Sequence, residues 1–99
     1  MSEIDQEEKR NKEREQKLSL SRRKEIDDIR HVLSSQQGRR FAWRLLTHCG
    51  VFRSIWSNSA VIHYNAGMQD VGHFIQGEII AADENAYLKM MKESKESNL

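Results

Sequence analysis

Proline is absent from the 99 residues, and cysteine occurs once. The missing proline removes the residue that most firmly interrupts a helix. A lone Cys49 excludes an internal disulfide. No apolar run approaches the ~20 residues that span a bilayer, so no membrane partner is expected. The amino end is charged and lacks the apolar stretch of a secretion signal. These gaps point to a reducing cytosol, or to a particle assembled there. The last deficit is of one sign of charge: no carboxylate occurs between Asp28 and Asp70.

What is present is unevenly spread. Residues 1–37 carry nine basic and nine acidic side chains. Residues 38–69 carry only Arg39, Arg40, Arg44 and Arg53, and residues 70–99 carry six acids against three lysines. Charge segregated in this way is the strongest electrostatic feature of the chain. The length allows one domain, and with 37% apolar residues its core is small. The expected division is a charged tail over 1–20, a helical domain over 21–93 and a frayed end over 94–99. A domain of that size buries only ~60% of its unfolded surface and gains much from a partner.

The tail "SEIDQEEKRNKEREQK" has Glu8–Lys12 and Glu13–Lys17 in the favourable i,i+4 order, which supports a helix without nucleating one. It reads as a fraying, solvated helix or a disordered segment. Ile26, Ile29, Val32 and Leu33 then mark one helical face, with Ser21 as the expected N-cap and an end near Ser34 or Ser35. In the next segment Phe41, Ala42, Trp43, Leu45, Leu46 and Cys49 fill an apolar arc, while Arg40, Arg44, Thr47 and His48 fill the opposite one. Gly50 is the expected left-handed residue that ends this helix.

The connection "VFRSIWSNS" holds Phe52, Ile55 and Trp56, which must pack or bind something. From about Ser59 to Ala82, Val61, Tyr64, Met68, Val71, Ile75 and Ile79 form a heptad-like stripe. Gly67, Gly72 and Gly77 lie inside it and predict either close helix approach or a break. Asp83 is the expected cap of a final helix with Tyr87, Met90 and Met91 facing inward. No segment alternates with period two. The sequence therefore predicts an all-α fold, a small compact bundle of about four helices with a charged, solvated or disordered N-terminal tail.

The chemistry-bearing residues are few. Cys49, His31, His48, His63 and His73 make no CxxC, HxxxH or HExxH spacing, so no metal is expected. Cys49 sits within the apolar arc, where a buried, inert thiol is the ordinary outcome. No glycine-rich loop cradles a phosphate. We expect no enzyme activity, no cofactor and no small-molecule substrate.

The positive signal is "GRRFAWRLLTHCGVFRS", residues 38–54, which joins four arginines to three aromatic rings without an acid. Arginine and tryptophan are the residue types most enriched at interface hot spots. The expected partner-binding set is Arg39, Arg40, Arg44, Arg53, Trp43, Phe52 and Trp56. The acidic carboxyl end complements it, so one subunit's 38–56 surface can meet the next subunit's 83–96 surface. The same arginines would also suit DNA phosphates, although four are few and no second, base-reading helix follows Gly50. A third reading makes the long stripe a docking face for a host protein.

"DIRHVLSSQQGRRFAWRLLTHCGVFRS", "YNAGMQDVGHFI" and "AYLKMM" resemble a family of small proteins encoded among the structural genes of tailed bacteriophages, including a Bordetella phage. The resemblance covers about residues 27–92 and leaves out the charged tail. Its hallmark falls on Gly38, Arg39, Arg40, Phe41, Trp43, Arg44, Leu45, Leu46, Cys49, Gly50, Val51, Phe52 and Arg53. It implies a mostly helical phage protein that works with the virion or its assembly, located in the virion or the host cytoplasm, and it supplies no catalytic residue. The expected function is a virion-associated structural or assembly protein that binds copies of itself or a larger virion component. The alternative is a DNA-associated packaging or ejection factor.

Overall fold

The computed structural model describes residues 2–97. Four helices follow in order: α1 (Glu3–Leu33), α2 (Gln36–His48), α3 (Val61–Ala82) and α4 (Glu84–Ser97), with no strand among the described residues. The all-helical expectation holds. Compactness does not. The radius of gyration is 19.3 Å and the molecule measures 67 × 37 × 15 Å, against ~13 Å for the radius of gyration of a compact chain of this length.

Helix α1 is the reason. It runs unbroken through Ser21, the expected N-cap, and Ser2 caps it instead, its hydroxyl accepting from the Asp5 amide at 3.3 Å. Every residue from Ser2 to Ser21 is exposed. That arm, ~28 Å long at 1.5 Å per residue, extends beyond the packed part. Only the carboxyl-terminal third of α1 packs, through Ile29 and Leu33. Once that part is nucleated by packing, each further residue adds a hydrogen bond at little cost, and Glu3 and Asp5 favour the far end. The expected start of the helical domain at residue 21 therefore falls inside α1. At the other end α4 is helical to Ser97, and residues 98 and 99 of the expected frayed segment lie outside the described residues.

The turn from α1 to α2 is very tight. Ser35 caps α2 by accepting from the Gly38 amide at 3.0 Å. A Cβ on Gly38 would fall 1.7 Å from the Val32 carbonyl oxygen, so only glycine fits. Helix α2 ends as expected: Gly50 has φ +76°, its amide donates to Thr47 O at 3.0 Å, and the Val51 amide donates to Leu46 O at 3.3 Å. These two bonds make a Schellman motif.

Helix α3 is continuous through all three glycines, so the expected alternative of a break is not taken. Gly72 is the close approach: a Cβ there would lie 2.4 Å from Val51 Cγ2 and 2.7 Å from Cys49 Cβ. Gly67 and Gly77 have nothing within 4 Å of such an atom. Asp83 caps α4, its Oδ1 accepting from the Ala86 amide at 3.0 Å.

The core is one thin seam where the four helices meet: Leu33, Ala42, Leu46, Ile79, Ala86, Tyr87 and Met90, with Ile29, Trp43, Val51, Ile75 and Met91 packed at its edges. Only Leu46 and Met90 are sealed among the large side chains. The α3 stripe is buried at one end only. Ile79 is interior and Met68 and Ile75 are half-buried, but Val61, Tyr64 and Val71 are exposed.

Candidate functional site

Helix α2 carries four of the seven expected binding residues, Arg39, Arg40, Trp43 and Arg44, and its two sides differ. Ala42, Leu46 and Cys49 face the core, and Arg39 joins them at 8% exposure. Arg39 Nε donates to Glu93 Oε1 at 2.8 Å, and its Nη1 donates to the Leu33 carbonyl at 2.8 Å. That carbonyl belongs to the last turn of α1, where helix acceptors have no partner of their own. Arg39 is therefore a clasp joining α1, α2 and α4, which corrects its expected place on the partner surface.

Arg53 is used in the same way. Its Nη2 donates to Thr47 O at 3.3 Å and His48 O at 3.5 Å, at the end of α2. Arg30, on α1, closes the end of α3 by donating from Nε to Ala82 O at 2.7 Å. Three arginines thus sit on three helix carboxyl ends, where the peptide dipoles leave partial negative charge. A basic stretch without carboxylates is balanced in large part by backbone carbonyls. Arg53 is exposed, but its guanidinium is committed within the chain.

Arg40 and Arg44 lie on the outer side of α2, exposed and without an ion pair among the described residues. Trp43 is half-buried and stacks on Phe52, with ring centroids 4.9 Å apart and an interplanar angle of 24°. Phe52 remains 48% exposed and Trp56 75% exposed. The segment presenting Trp56 is nonetheless held down. Gln69 Nε2 donates to Gly50 O at 3.0 Å and Arg53 O at 2.8 Å, and Asn65 Nδ2 donates to Ile55 O at 3.3 Å. The structure thus leaves Arg40, Arg44, Phe52 and Trp56 exposed and Trp43 half-buried, buries Arg39 as a clasp, and ties one nitrogen of the exposed Arg53 to the end of α2.

A second surface was not expected. Phe41, placed by its spacing in the core arc, is 60% exposed. With Phe74, 68% exposed, and Val32 it walls an apolar groove of about 460 Å³ between α1, α2 and α3, floored by Ile29, Leu45 and Ile75. Glu25, Asp28 and Glu78 stand at its edge. Glu78 is fixed there by Arg22, whose Nη1 and Nη2 donate to its two oxygens at 2.6 and 3.0 Å. This bidentate bond holds the Glu78 carboxyl below the ordinary carboxylate range and the Arg22 guanidinium above its own. The signal for the groove in the sequence was the angular place of Phe41, at the edge of the arc next to His48.

Cys49 is buried against Gly72 and Val51. Among the described residues no three of His, Cys, Asp and Glu gather as a metal cluster, and no helix is long and apolar enough to cross a membrane.

The packed part is thus a thin helical unit with Phe41, Phe52, Trp56 and Phe74 exposed on its outside. Over residues 29–92 the chain matches the model of the Bbp19-like phage proteins, and it belongs to that family. No curated protein and no solved structure matches it.

Proposed function

We propose that this chain is a virion-associated structural or assembly protein of a phage, acting in the virion or the host cytoplasm by protein–protein contacts and without a chemical step of its own. Its partners are copies of itself or a larger virion protein. The observation that carries this reading is Trp56, 75% exposed on a loop whose carbonyls are tied to α3 by Asn65 and Gln69. Exposed aromatic surface held in one conformation avoids much of the ordering cost of binding, which is what a docking anchor requires. Arg40, exposed on the outside of α2 and without an ion pair among the described residues, supplies a polar contact.

The DNA-associated alternative is weakened by Arg39 and Arg53. With Arg39 buried and Arg53 bonded in part within the chain, Arg40 and Arg44 are the two expected arginines that make no bond of their own among the described residues. Two phosphate contacts give a log–log salt slope of only about −2, too shallow for firm duplex binding.

Mass spectrometry of purified particles tests the proposal. We expect the chain to be present in wild-type particles and depleted when Trp56→Ala is combined with Arg40→Glu, while the variant stays folded in cell extract. Absence from wild-type particles and from their assembly intermediates would remove the proposal. Steep, salt-sensitive duplex binding by the purified chain would favour the DNA reading instead.

A further inference from the structure

The groove between α1, α2 and α3 is a different surface from the Trp56 loop, and its chemistry is polarised. At one end stand Glu25 and Asp28, both exposed on α1. Its middle is apolar, with Phe41 and Phe74 as walls. At the other end Phe41 and Leu45 also line the neighbouring hollow on the outside of α2, which continues to Arg44 and His48. Arg22 pairs with Glu25 and Glu78, so Asp28 is the free acid that bounds the apolar patch on one side and Arg44 the free base on the other. Neither Asp28 nor Arg44 has an ion-pair partner among the described residues.

A patch with an apolar centre and opposite charges at its two ends is complementary to itself. A two-fold axis through its centre lays the acidic end of one copy over the basic end of the other and stacks the two apolar centres. In such an isologous contact each residue pair occurs twice. We infer that this groove is a dimerisation surface whose occupant is a second copy of the chain, with Phe41 and Phe74 as the apolar anchors and Asp28 opposite Arg44 of the second copy. The groove is too exposed to be a finished core: Phe41, Phe74 and Val32 are each nearly half exposed or more. A second copy seated on the groove would enclose these rings from the side the single chain leaves open.

This inference rests on the reading that the chain works through protein contacts, and it specifies which copy meets which surface. Sedimentation velocity of the purified full chain over a concentration series tests it. Wild type is expected to associate to a dimer. Phe41→Glu with Phe74→Glu is expected to leave a monomer of unchanged helical content, since both rings are exposed in the single chain. Asp28→Arg and Arg44→Asp are each expected to weaken association by about tenfold or more, and the two together to restore it to within a few-fold of wild type. A wild-type chain that stays monomeric overturns the inference. So does a dimer indifferent to the phenylalanine changes, or a double charge reversal weaker than either single one. Because the assay contains only this chain, a monomer refutes the pairing without bearing on particle incorporation. A dimer that never enters particles would refute the proposed function and leave the pairing standing.

Discussion

The two sides of α2 are built from the same residue types and do opposite things. On the inner side Arg39 and Leu46 are sealed, one by a carboxylate and a helix-end carbonyl, the other by apolar contacts. On the outer side Arg40, Arg44 and Phe41 are exposed and uncommitted. Residue type therefore does not separate architecture from surface on this helix. Position around the axis does, because a guanidinium is buried only where acceptors from several helices converge on it.

The largest expected effects come from the apolar pair. Leu46→Ala is expected to cost about 3 kcal/mol, since Leu46 is fully enclosed and its neighbours are already thin. Phe41→Ala, at 60% exposure, should change the stability of the single chain, measured below the concentration at which it pairs, by no more than about 0.5 kcal/mol. Urea unfolding of the two variants breaks the comparison if their costs are alike.

The glycines of α3 sharpen it. Gly72→Ala forces a methyl into Val51 and Cys49 under the inner side of α2 and is expected to cost about 1–3 kcal/mol. Gly77→Ala meets nothing within 4 Å and is expected to stabilise by about 0.5–1 kcal/mol, because alanine favours the helix. Thermal unfolding reads both, and shifts of the same sign would refute the close approach at Gly72.

The smallest effect concerns Glu78. Its carboxyl titrates lower in the folded chain than in the unfolded one, because Arg22 donates to it and attracts it. Its contribution is therefore complete above the ordinary carboxylate pKa of ~4.3 and is lost as pH falls through the folded value. Glu78→Gln is expected to melt below wild type at neutral pH, with the difference closing under acid. A difference that stays constant down to strongly acid pH would mean that the pair does not act through ionisation.

The carboxyl end of α2 and the start of α4 were legible because they are local. Gly50 closes one helix by a backbone conformation, and Asp83 opens another by a side chain that reaches three residues on. The exposure of the expected set was legible in part. Arg40, Arg44, Phe52 and Trp56 are exposed as their pattern suggested. Arg39 was misread although its angle around α2, at about 100° per residue, places it between Leu46 and Trp43. Its carboxylate partner, Glu93, is 54 residues away, and only the packing of α4 on α2 brings it close. The tail was read as a solvated helix or a disordered segment, and that it joins α1 through Ser21 without a break was hidden for a similar reason. Local pairs alone cannot start that helix, and the packing that starts it lies at its other end. The groove was hidden because exposure of Phe41 and Phe74 depends on how widely α1, α2 and α3 splay.

The claim beneath all of this is that helix-end carbonyls and one carboxylate, and not a partner, neutralise part of the basic run. Equilibrium unfolding of Arg39→Ala against Arg40→Ala tests it most directly. The account predicts a loss of about 3 kcal/mol for Arg39→Ala, which strands Glu93 and the Leu33 carbonyl, and a change within about 0.5 kcal/mol for Arg40→Ala. Equal losses at adjacent arginines would contradict it.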